Sequence, residues 1–139
     1  MSNPALRARY LAQSIATASP GQLLVMLYDR LVVDLTQAEE ALRAGDRETG
    51  SARLMHAQEI VAELHSTLDL SVWEGAADLA RIYRFLLTEL IKANVRGDAD
   101  LAGACRRMVE PLRDAWREAL QTTQAAAASA AGAVPARVA

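Results

Sequence analysis

The side chains best suited to chemistry in this chain are His56, His65, Cys105 and the carboxylate groupings Glu39–Glu40 and Glu59…Glu63. A dinuclear metal site between helices needs Glu-x-x-His on inward faces. Arg53 precedes His56 at that spacing and Ala62 precedes His65, so neither histidine completes the motif. His56-x-x-Glu59 runs in the reverse order and faces away from the apolar seam of its helix. The two histidines lie on different helix faces and read as surface or half-buried structural residues. Cys105 falls on an apolar stripe, where a thiol acts as a small buried hydrophobe rather than a nucleophile. The paired glutamates suit solvated faces with ion pairs along a helix. There is no glycine-rich phosphate loop and no Ser–His–Asp arrangement. The expectation is a protein that is not an enzyme and has no metal site and no cofactor.

The composition points the same way. Of 139 residues, 52% are hydrophobic but only 4% aromatic, the signature of Leu/Ala/Val packing between helices in one domain. Net charge is −2 and the longest basic run is Arg106–Arg107, too weak a positive field for nucleic acid. A single cysteine cannot form an internal disulfide, which fits a reducing compartment. The first residues lack a charged start followed by an apolar run, so no signal peptide is expected. No apolar run approaches the length of a membrane span. The expected location is cytoplasmic, with no membrane insertion.

The elements that position these residues are helices. Ser19 suits an N-cap, Pro20 the first helical position, and Gln22 can close a capping box with Ser19. A first long helix is predicted from Pro20 to about Ala44, with a seam of Leu24, Tyr28, Leu31, Leu35, Ala38 and Leu42. Gly45 ends it. Asp46 caps a second helix, about Arg47 to Leu68, with seam Gly50, Leu54, Ala57, Val61, Leu64 and Leu68. Its small residues let a neighbouring backbone come close. After a connector, a third helix runs from about Ala76 to Val95 on Leu79, Tyr83, Leu86, Leu90 and Ala93, with Ile82, Leu87 and Ile91 flanking. Gly97 stops it. Asp98 caps a fourth through about Leu120, on Leu101, Cys105, Met108, Leu112 and Ala115, with Val109 and Trp116 beside them. Pro111 removes one backbone bond there and is expected to bend the rod. Tight connectors between long amphipathic helices make an all-α, antiparallel up-down-up-down four-helix bundle. Residues 1–18 form a short N-terminal helical segment covering the bundle, and 19–122 are the bundle. Residues 123–139, rich in alanine with only Arg137 charged, are expected to be a disordered tail.

The first long helix carries more apolar residues than one seam uses. Leu23, Val25, Met26, Val32 and Val33 lie off it, and Phe85 shares a polar face of the third helix with Asp78, Arg81, Thr88 and Lys92. Apolar surface left over on a soluble helical protein marks a partner site. A cover from residues 4–15, carrying Leu6, Tyr10, Leu11 and Ile15, or self-association are the alternatives.

From Leu6 to Leu120 the chain resembles the FliS-type flagellar secretion chaperones. The resemblance rests on Tyr10, on Thr17-Ala-Ser-Pro-Gly-Gln-Leu followed by Met26-Leu-Tyr-Asp, and on Ala57-Gln58, Ile60, Leu64 and Leu68-Asp69. It continues through Leu79, Tyr83, Phe85, Leu90 and Ala93-Asn94, and ends at Leu112-Arg113 and Trp116. Arg30 stands where the family commonly has glycine, Pro111 interrupts a helix usually free of proline, and Trp73-Glu74 occupies a loop that is often glycine-rich.

The resemblance implies a binding protein that holds the C-terminal segment of flagellin. In the family that segment is disordered when free and wraps around the bundle. Holding it prevents premature polymerisation in the cytosol and assists delivery to the flagellar type III export apparatus. The resemblance and the spare apolar surface together nominate Tyr10, Ile15, Leu23, Met26, Leu27, Val33 and Phe85 as flagellin-binding residues. Other flagellar regulators and export-gate components are further possible partners, and the free chain is expected to be a monomer or weak homodimer. The alternatives are a self-associating structural bundle and a regulatory adaptor for other flagellar proteins.

Overall fold

The computed structural model describes residues 4–6, 18–71 and 73–133. Residues 4–6 are helical, and four long helices follow: α1 (Pro20–Arg43), α2 (Arg47–Ser66), α3 (Gly75–Arg96) and α4 (Ala99–Ala133). No strand occurs among the described residues. The fold is an all-α helical bundle with an additional short N-terminal helix.

The helix boundaries follow local chemistry. The Gln22 amide donates to Ser19 Oγ at 3.2 Å and the Ser19 amide donates to Gln22 Oε1 at 2.8 Å, so both arms of the predicted capping box form. Asp46 accepts from the Thr49 amide at 3.1 Å and Asp98 from the Leu101 amide at 3.0 Å. Gly45 and Gly97 adopt φ of 80° and 62°, a conformation that costs most other residues energy. These glycine turns reverse the chain and set neighbouring helices antiparallel. Helix α2 stops at Ser66, two residues short of Leu68, with the Ser66 and Thr67 hydroxyls donating to the Glu63 and Leu64 carbonyls at its end.

The chain divides into two units, residues 27–113 and residues 1–26 with 114–139. In the first of these the core is Tyr28, Leu31, Val32, Leu35 and Ala38 of α1, Leu54, Ala57, Ile60, Val61 and Leu64 of α2, and Leu79, Tyr83, Leu86, Leu90 and Ala93 of α3. Ala76 and Ala80 of α3 and Ala102, Cys105 and Val109 of α4 complete it. Gly50 makes room for a side chain rather than a backbone: a Cβ there would lie 2.5 Å from Leu42 Cδ2. In the other unit, Gly21 lets the Leu120 side chain approach, and an added Cβ would stand 3.1 Å from its Cδ1.

Three sequence expectations change. Val25 and Val32 are only 8% and 9% exposed, so they belong to the core and not to the spare surface. The α4 seam is rotated: Ala102, Gly103, Cys105 and Val109 are buried, while Met108 and Ala115 are exposed. Gly103 is buried under the Glu39 side chain of α1: a Cβ there would meet its Oε2 at 2.6 Å. Finally, α4 continues to Ala133 where a disordered tail was expected from residue 123. Residues 121–132 are exposed there, so the extension rests on alanine's helix propensity rather than on packing. Pro111 is accommodated on an exposed position inside this continuous helix.

Candidate binding surface

Helix α1 carries four of the predicted guest-binding residues, Leu23, Met26, Leu27 and Val33. Within the unit formed by residues 1–26 and 114–139, Leu23 and Met26 are exposed. Beside them in sequence, Leu24 lines an apolar groove of about 330 Å³ together with Trp116, Ala119 and Leu120. Within residues 27–113, Val33 is exposed and Leu27 is half-buried. Tyr10 and Ile15 lie outside the described residues.

Phe85 is exposed on α3, as expected, together with Asp78, Arg81, Thr88 and Lys92. Val33 is on α1 and Phe85 on α3. The hydroxyls of Tyr28 and Tyr83 meet in the buried centre at 2.5 Å. Val33 lies five residues after Tyr28, and Phe85 two after Tyr83. Each therefore projects away from that centre, on a different helix. Burial, and then the bond to Tyr28, raise the Tyr83 hydroxyl's pKa far above its ordinary value, so the pair is a neutral structural link.

Sequence reasoning missed Asp34, the one charged residue of the described core, at 0% exposed. His56 Nδ1 donates to its Oδ2, so His56 turns toward α1 instead of facing away from the core. Arg30 Nη2 stands 3.1 Å and Arg53 Nη1 3.7 Å from Oδ1, which has ion-pair neighbours but no aligned hydrogen bond. One buried carboxylate thus ties α1 to α2 through partners that keep one side in water. The signal was present: Asp34 lies three residues after Leu31 and four before Ala38, on the α1 seam.

On the opposite flank of α1, Glu39 pairs with Arg43 at 2.7 Å and with Arg106 of α4 at 3.2 Å. The Arg43 bond, and then Arg106, hold the Glu39 carboxyl below its usual value against the opposing effect of burial. Cys105 is buried, and desolvation pushes its thiol up to about 11, which makes it an inert core residue as expected. No group of His, Cys, Asp and Glu able to hold a metal ion occurs among the described residues. No described helix is long and apolar enough to cross a membrane.

A second, shallow groove of about 640 Å³ lies between α1 and α2 and is lined by Gln37, Glu40, Glu48 and Arg53 among others. Its lining mixes Ala41 and Ala52 with polar residues of both charge signs. The smaller groove at Leu24 and Trp116 is the more apolar of the two.

The chain is similar to known proteins over most of its length. The family model described as flagellar protein FliS matches residues 1–123. The flagellar secretion chaperone FliS of Bacillus subtilis (strain 168) is 32% identical over 113 residues, covering 81% of this chain and 84% of that protein. The flagellar secretion chaperone FliS of Salmonella typhimurium is 29% identical over 107 residues, covering 76% and 79%. A crystal structure of a bacterial flagellar chaperone superposes with a TM-score of 0.69 at 22% identity, covering 86% of this chain and 99% of that one. That likeness shows the fold. The family-model match over residues 1–123 and the Bacillus subtilis relative place the chain in the FliS family of flagellar secretion chaperones, which are not enzymes.

Proposed function

We propose that this chain is a cytoplasmic export chaperone for flagellin. It binds the disordered C-terminal segment, prevents premature polymerisation and assists delivery to the flagellar type III export apparatus. The observation that carries this reading is the apolar groove at Leu24, Trp116 and Leu120, with Leu23 and Met26 exposed in the same unit. A segment that packs helically in a filament carries an apolar stripe, and a groove of this kind satisfies it by helix-in-groove contact. Coupled folding spends roughly 2–5 kcal/mol on ordering the segment, which keeps binding reversible at the point of export. Leu27 and Val33 of α1 are further proposed contacts in their own unit, as are Tyr10 and Ile15 of the N-terminal segment.

Titration with a flagellin C-terminal peptide tests the reading. The expected result is a one-to-one complex in solution. Met26→Asp is expected to weaken it by more than about tenfold, because it puts a charge into an apolar contact, while the helical signal is unchanged. Tyr10→Ala is expected to weaken it less. A tight dimer indifferent to the peptide, or a dissociation constant unchanged in Met26→Asp, overturns it.

A further inference from the structure

The outer face of α3 has a character of its own. Phe85, Ile91 and Val95 are 50%, 51% and 73% exposed. Arg81, Arg84, Thr88, Lys92 and Arg96 are exposed among them. Steps of three and four residues link Arg84, Thr88, Ile91 and Val95, and equally Arg81, Phe85, Thr88 and Lys92, so two adjoining rows run along one side of the helix. Two carboxylates oppose the four cations: Asp78, 2.6 Å from Arg81, and Glu89, 3.2 Å from Lys92. Arg84 and Arg96 have no ion-pair partner among the described residues. A chain whose net charge is −2 therefore gathers an excess of positive charge around exposed apolar side chains on this one helix.

We propose that the outer face of α3 is a docking surface for an acidic amphipathic helix of a partner protein. The rows from Arg81 to Arg96 run for about 20 Å, long enough for roughly four turns of an incoming helix. Phe85, Ile91 and Val95 supply its apolar anchors, and Arg84 and Arg96 are free to meet carboxylates on its flanks. Other occupants fit less well. A membrane-surface helix needs an apolar side that sinks roughly 5–10 Å below the headgroups, and here each row carries a cation. A second copy related by a two-fold axis would set this cationic face against itself. The surface shares no residue with the groove proposed for flagellin and does not rest on that reading; Phe85, named above among the flagellin-binding residues, is assigned here to this second partner.

The test uses the full chain and two designed helical peptides with the same leucine stripe, one flanked by glutamates and the other by lysines. Fluorescence anisotropy is expected to show binding of the glutamate peptide, weakening as salt is added, and none of the lysine peptide. Arg84→Glu/Arg96→Glu is expected to weaken the glutamate peptide by about tenfold or more, as loss and reversal of charge across an interface does. The same variant is expected to bind the flagellin C-terminal peptide as the wild type does. Because both arginines are exposed, an unchanged helical signal confirms that the variant is folded. Equal binding of the two peptides, or indifference to the double substitution, overturns the proposal. So does a response only to vesicles of phosphatidylserine and phosphatidylcholine, or dimerisation that Phe85→Asp abolishes. Loss of flagellin-peptide binding in Arg84→Glu/Arg96→Glu would merge the two surfaces and overturn the assignment to a separate partner.

Discussion

Helices α1 and α3 each send one tyrosine to the centre of the unit formed by residues 27–113, and beyond that contact they diverge. On its inner face α3 buries apolar residues and Tyr83 alone. Helix α1 buries a carboxylate as well, Asp34, and holds it with Arg30, Arg53 and His56. Outside, the contrast reverses. Within this unit α1 exposes Val33 between Arg30 and Gln37, whereas α3 exposes three large apolar residues among four cations. An inner face must match its neighbours in volume and satisfy its polar atoms, and many side-chain sets achieve that. An outer face is free of that demand, so the differences that distinguish partners gather there.

The largest expected break in this comparison comes from placing the same charge on the two faces. Leu31→Asp buries an unpaired carboxylate in the α1 core and is expected to unfold the domain, whose whole stability is of the order of 5–15 kcal/mol. Phe85→Asp on the outer face of α3 is expected to stay within about 0.5 kcal/mol of wild type. Urea denaturation followed by circular dichroism measures both, and a cooperative, fully helical Leu31→Asp protein would show the seam to be misplaced.

Asp34→Ala removes the buried carboxylate peculiar to α1. Its partners can return to water, so the expected cost is that of lost charge-assisted hydrogen bonding, about 1.5–3 kcal/mol. Tyr83→Phe, on the α3 side, removes one neutral bond and is expected to cost about 1 kcal/mol. Equal urea midpoints for the two variants would erase the distinction between the charged and neutral contacts.

The smallest effect sharpens the comparison through pH. Because the Glu39 carboxyl lies below its ordinary value of 4.5, its contribution is fully present above that value and is lost as pH falls through the lower, folded value. Glu39→Gln is therefore expected to melt below wild type at neutral pH, with the gap closing in acid. A gap that persists at the most acidic readable pH would assign the effect to packing instead of charge.

Much of this was legible along the chain. Ser19-Pro20-Gly21-Gln22, Asp46 and Asp98 announce helix starts because capping is settled by neighbours within a turn. The seams of α3, and of α2 as far as Leu64, read correctly because steps of three and four residues define one face. Val25 and Val32 did not read as core, since a helix enclosed on more than one side buries residues that a single-seam reading leaves outside. The α4 seam failed for a related reason: Gly103 is buried against Glu39, and a glycine gives no hydropathic signal. The tail failed because alanine serves both solvent-exposed helix and featureless coil.

The sequence by itself determined the helices, their caps, the tight turns that make neighbours antiparallel and the family pattern. All of these depend on residues a few places apart or on composition. Only the tertiary structure decided which apolar residues remain outside, that Asp34 is buried beneath two arginines and a histidine, and that Val33 and Phe85 project from separate helices. Burial and pairing are set by which side chains meet across helices, and that meeting joins residues far apart in the chain.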